Sequence, residues 1–219
     1  MATLQSGSST SSSDFSKSKI ICNKEDVVLL RNDNRENDNN KNNNNYRIIF
    51  NAHNSKFPIH SIVGLKLYTL LYELNRDVIH IFKVINETET TIETVTLFKP
   101  FGRDFGIAPK AMHTISRMHI ESNVCTFDSV DIEADASEIK HIPKKYERIY
   151  STQSKLVVYF LSENDLQFDF TFELIDDGDE SHEKEKEESS LCPIYMENTV
   201  ALMIKKMFSR LKNFIERMT

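Results

Sequence analysis

Tryptophan is absent from this 219-residue chain, and glycine and proline number only five each. So little glycine excludes glycine-rich phosphate cradles, and no P-loop or dinucleotide fingerprint occurs. The three cysteines, Cys22, Cys125 and Cys192, lie far apart with no CxxC pair. That argues against a disulfide framework or a zinc knuckle and fits a reducing compartment. Long apolar runs are missing as well. The longest, Leu156 to Leu161, falls far short of the roughly 20 residues that span a bilayer. The first 18 residues hold eight serines and no apolar core of the kind a secretory leader needs. The expected location is intracellular, with no signal peptide and no transmembrane segment.

What is present is unevenly charged. The net charge is −6, and residues 176–188 alone, with eight acids against two lysines, equal it. An acidic balance excludes coating nucleic acid through bulk charge, which needs clustered Lys and Arg. Residues 32–45 contain nine asparagines, a polar tract of the kind that stays unfolded. These compositions divide the chain into a flexible Ser/Asn-rich arm (1–45), a core domain (46–175), an acidic flexible linker (176–190) and a C-terminal amphipathic helix (191–219). Within the arm, Val27, Val28, Leu29 and Leu30 form an apolar island that needs a partner surface. Two readings are open: an edge strand of this chain's own sheet, or a plug for a neighbouring subunit.

Periodicity supplies the elements of the core. Tyr46 to His53 reads as a strand. Ser61 is an N-cap candidate for a helix over Ile62 to Leu74, with Gly64 inside it at a cost of about 1 kcal/mol. Val78 to Ile85 and Thr91 to Phe98 read as an antiparallel hairpin, and Met118 to Asp135 has strand character. Lys155 to Leu161 and Leu166 to Leu174 are strands. In the second, Leu166, Phe168, Phe170, Phe172 and Leu174 alternate with polar residues, so one face is buried and the other wet. From Asn198 to Arg217 an unbroken stripe of Val200, Met203, Ile204, Met207, Phe208, Leu211, Phe214, Ile215 and Met218 marks a helix. The fold class is therefore α+β: a single antiparallel sheet of five to six strands, packed by one internal helix and the C-terminal helix.

Chemistry-bearing patterns are sparse. The seven histidines show no HExxH and no metal-ligand spacing. No GxSxG elbow occurs, and Cys125 reads as a structural thiol. No catalytic residue, metal or cofactor is expected. Lys140, Lys144, Lys145 and Arg148, interleaved with two tyrosines, are candidate nucleic-acid contacts; the plainer reading is a solvated loop. Phe98, Phe101 and Phe105, with Lys205, Lys206 and Arg210 on the last helix, are candidates for a membrane or protein partner. The plainer reading is that the phenylalanines and the helix stripe belong to the core.

The order of elements resembles one family. A polar arm leads to the strand Tyr46 to His53, then Phe57-Pro58, a helix and a strand, and Ile142-Pro143-Lys144-Lys145-Tyr146-Glu147-Arg148 precedes a hydrophobic strand. This is similar to rhabdovirus matrix proteins, the plant-infecting type above all, because the arm lacks a lysine-rich stretch and any PPxY or PTAP motif. The resemblance implies a non-enzymatic structural protein that self-associates through Val27 to Leu30 and links the ribonucleoprotein to the envelope. Its partners would be itself, the nucleocapsid and an acidic membrane surface, with no small-molecule substrate, in the host cytoplasm or nucleus and the virion. The alternative is a non-catalytic intracellular interaction module with a disordered arm.

Overall fold

The computed structural model describes residues 18–32, 44–100, 109–132, 141–148, 153–174 and 194–219. In chain order the elements are β1 (Ser18–Lys24), β2 (Val27–Asn32), β3 (Asn44–His53), α1 (Leu65–Glu73), β4 (Ile79–Glu87), β5 (Thr91–Phe98), β6 (Lys110–Glu121), β7 (Val124–Asp131), β8 (Glu147–Arg148), β9 (Ser154–Phe160), β10 (Asp165–Leu174) and α2 (Ile194–Arg217).

Nine strands form one antiparallel sheet in the order β1-β2-β3-β10-β9-β7-β6-β5-β4, and the two-residue β8 pairs parallel with β6. The fold is α+β as expected, but five to six strands is too few. Two features account for the difference. Residues 18–32, assigned above to the arm, form a hairpin whose second strand pairs with β3. The stretch from Met118 onward is not one strand: the turn at Ser122 and Asn123 divides β6 from β7.

The sheet alternates as its sequence dictates. Phe50 of β3 lies opposite Phe168 of β10, with ring centroids 4.6 Å apart, and Tyr46 lies opposite Phe172 at 5.3 Å. Both sheet halves send side chains into one core: Val27 and Leu29 from β2, Ile92 and Phe98 from β5, Phe127 from β7, with Tyr68 of α1 and Phe208 of α2. The sheet therefore curls round the two helices. α1 runs from a central strand, β3, to the far edge, β4.

The start of α1 differs from the sequence reading. Residues Ile59–Ile62 form a short 3-10 turn, and the helix begins only at Leu65 with Gly64 as its N-cap. Pro58 fixes the chain extended before the turn, and the Ser61 hydroxyl donates to the Pro58 carbonyl at 2.8 Å instead of capping a helix. Gly64 thus carries no mid-helix cost.

α2 is held by polar ties as well as by its apolar stripe. Asn54, 3% exposed, donates to the carbonyls of Ile215 and Met218 at 2.8 and 2.9 Å, while its Oδ1 accepts from the Lys56 and Phe57 amides. Asn75, fully buried, donates to Leu71 O at 2.5 Å and Met207 O at 3.5 Å. The Arg210 guanidinium binds both carboxylate oxygens of Asp77 and the Asn75 Oδ1. Lys205 donates to Lys24 O at 2.6 Å.

Candidate functional site

The sheet's concave face and the two helices line a partly open cavity of about 100 Å³. Its position follows from five strand patterns and two helix stripes. From the sheet come Phe98 of β5, Met112 and Thr114 of β6, Ser129 of β7, Ser154 of β9 and Phe170, Phe172 and Glu173 of β10. α1 supplies Tyr68, Leu71 and Tyr72, and α2 closes it with Val200, Met203, Ile204, Met207 and Phe208. The lining is overwhelmingly aliphatic and aromatic, with three methionines that adapt readily to a guest. A void of this size is comparable with cavities of ~150 Å³ that accept a single aromatic ring.

One wall is polar. The Tyr68 hydroxyl lies 2.9 Å from Ser129 Oγ and 3.4 Å from the Tyr72 hydroxyl, and Ser129 Oγ lies 2.7 Å from Ser116 Oγ. Beside them Thr94 and Thr114, opposite each other on β5 and β6, share a 3.0 Å bond. Burial of the phenol pushes the Tyr72 pKa well above the ordinary tyrosine value, helped by Tyr68 and by the negative charge of Asp131. Tyr72 is therefore a neutral O–H at physiological pH. Its ring stacks on Phe82 at 4.7 Å.

Of the sequence-predicted site residues that the structure describes, Phe98 alone lines this cavity. Val27 and Leu29 are fully buried in this chain's own core, and Val28 and Leu30 are partly buried beside them on β2. Of the two readings left open for that island, the structure places it in its own sheet. Phe98 is buried and lines the cavity, while Phe101 and Phe105 lie outside the described residues. Lys205 is 5% exposed and spent on the β1–β2 turn; Lys206 and Arg210 both face Asp77. Lys140 also lies outside the described residues. Lys144 and Lys145 are exposed on a segment that Tyr146 anchors against Val95, Leu97 and Ala111 on the sheet's other face. Arg148 donates to the Ile132 carbonyl.

Two further constellations were weighed for chemistry. At the other end of β3, Ser162 Oγ donates to Asp165 at 2.6 Å and His53 Nδ1 meets the same carboxylate at 2.7 Å. These bonds, Ser162 first, hold the Asp165 carboxyl below its usual pKa. The hydroxyl faces the carboxylate and not the imidazole, so the trio ties the β9–β10 turn to β3 and lacks the base-to-nucleophile contact of a triad. Cys125 is fully buried, and burial pushes its thiol up to about 11, so it holds no thiolate at neutral pH. Among the described residues no group of three or more His, Cys, Asp or Glu is placed to hold a metal ion, and no helix is long and apolar enough to cross a membrane.

No protein-family model matches the sequence, and no curated protein matches it. Solved structures do match the fold. The lipid transfer and protein localization domain of human StarD13 superposes with a TM-score of 0.65 at 10% identity, over 92% of this chain and 90% of that one. Human StAR-related lipid transfer protein 5 gives 0.63 at 11%, over 93% and 88%. A StAR-related lipid transfer protein from Xanthomonas axonopodis gives 0.61 at 9%, over 90% and 98%. At such identities the likeness establishes the fold and nothing finer.

It nevertheless corrects the rhabdovirus resemblance. The strand–helix–strand order that suggested a matrix protein is shared by this sheet, whose defining feature is the non-local pairing of β3 with β10. With the resemblance fall the expectations it carried: assembly of a virion layer, a nucleocapsid partner, location in a virion, and the exclusion of a small-molecule ligand.

Proposed function

We propose that this chain is a non-catalytic binding protein for a small apolar or amphipathic molecule, lipid-like in character, held between the concave sheet and α2. The observation that carries the reading is the partly open, methionine-rich cavity at the place where all layers of the fold meet. The shared architecture with proteins whose names describe lipid transfer supports it. Burial supplies the affinity: each methylene moved from water into such a lining contributes about 0.8 kcal/mol. As it stands the void suits a ring or a short chain, since pockets for larger ligands run to roughly 300 Å³ or more. A full acyl chain requires the N-terminal part of α2, which carries Val200, Met203 and Ile204, to move outward.

The test is a cavity-filling substitution. Benzene, which matches a void of this size, binds the wild-type chain with chemical-shift changes at the lining methyls and raises its melting temperature, as any ligand selective for the folded state must. Met203→Trp occupies the void, keeps the circular dichroism spectrum and abolishes both effects. Benzene that binds neither protein, or binds Met203→Trp equally well, removes the proposal.

A further inference from the structure

The polar lining of the cavity is built of hydroxyls and one carboxylate, that of Glu173, and this narrows the class of ligand. Tyr72, Tyr68, Ser129 and Ser116 form a chain of three contacts at 3.4, 2.9 and 2.7 Å. Each hydroxyl has one proton to donate and lone pairs to accept with. Three contacts among four hydroxyls use three protons and leave a fourth. The chain can run either way: from Tyr72 towards Ser116 the unused proton lies on Ser116, whereas a ligand acceptor at the cavity favours Ser116 donating to Ser129, Ser129 to Tyr68 and Tyr68 to Tyr72, which releases the proton of Tyr72, a lining residue. Thr114 and Ser154 bring two more hydroxyls to the same lining.

Charge decides between ligand classes. Among the described lining residues there is no lysine or arginine, and the one ionisable carboxylate there is Glu173. Asp131 adds negative potential at Tyr72. A phosphate or carboxylate brought into this lining would lose its hydration, meet no cation and face two acids. A neutral hydroxyl or carbonyl pays far less desolvation and finds both a donor and acceptors in place.

We infer that the cavity selects an uncharged amphiphile, an apolar body bearing a single hydroxyl or carbonyl, which accepts the proton of the Tyr72 hydroxyl and joins the Tyr68–Ser129–Ser116 chain. The inference rests on the reading of the cavity as a ligand site. It adds a specificity-determining residue, Tyr72, and a preference against anionic head groups.

Three single-ring probes sized to the cavity test it: toluene, phenol and benzoate, titrated by NMR chemical-shift perturbation into the full chain and into Tyr72→Phe. The variant keeps the ring that stacks on Phe82 and loses only the hydroxyl. Phenol affinity falls about tenfold in Tyr72→Phe, the worth of one hydrogen bond. Toluene affinity is unchanged, which also shows the variant folded, and benzoate does not displace phenol. Toluene binding with phenol indifferent to Tyr72→Phe, or benzoate binding as tightly as phenol, overturns the inference and leaves the cavity reading intact. Failure of toluene and phenol alike to bind the wild-type chain overturns both.

Discussion

Asn54 and Asn75 do in this molecule what core residues seldom do: each is a buried amide that satisfies backbone groups of two separate segments. Asn75 sits past the C-terminal end of α1, bonds Leu71 O within that helix and reaches Met207 O across to α2. Its own carbonyl accepts the Val78 and Ile79 amides at 2.9 and 2.8 Å. Replacing it strands polar groups in the interior, which costs about 1–3 kcal/mol. Asn75→Ala therefore lowers the unfolding free energy by that amount, read as a lower urea midpoint at an unchanged denaturant slope. The β1–β2 turn invites the opposite change. Glu25 and Asp26 have φ of 61° and 54°, a left-handed pair closing a two-residue hairpin that Asn-Gly fits best. Glu25→Asn with Asp26→Gly is expected to add about 1 kcal/mol in the same assay.

Among the elements, α2 and β10 were legible because their signals are local. A stripe at helical spacing and a strict alternation need no knowledge of the partner, and Phe208, Leu211 and Ile215 are buried as the stripe requires. The cations of α2 were not legible. Whether Lys205 faces a membrane or a carbonyl depends on the Lys24 carbonyl, 181 residues away. The cavity escaped for the same reason. Tyr68 and Tyr72 read as core, and only the packing of α1 on β7 sets Tyr68 beside Ser129, 61 positions on. The Arg210–Asp77 clasp is the testable tie at this scale. The Arg210 hydrogen bonds hold the Asp77 carboxyl down to about 2 from its ordinary 3.8. A depressed carboxylate stabilises the fold above its unfolded pKa and loses that contribution as pH falls through the folded one. Asp77 is half-exposed, so the effect is small, about 0.2–1 kcal/mol. Asp77→Asn is less stable than wild type at pH 7, and the difference closes between pH 4 and pH 2 in urea titrations.

At the level of the whole molecule, strand count and pairing order were beyond sequence reasoning, because β3 meets β10 across more than a hundred residues. Element order alone therefore pointed to a coat-lining protein, and the sheet closed on a cavity instead. The hold on α2 in that closure has a dynamic consequence. The polar ties of α2 described above fall at Lys205, Met207, Arg210, Ile215 and Met218, and the Tyr46 hydroxyl donates to Asn198 Oδ1 at 3.4 Å nearer its start. The second half of the helix is riveted to the body, with Leu211 and Ile215 buried there. Deuterium uptake by its amides is thus slowest around Leu211, the post on which the helix hangs.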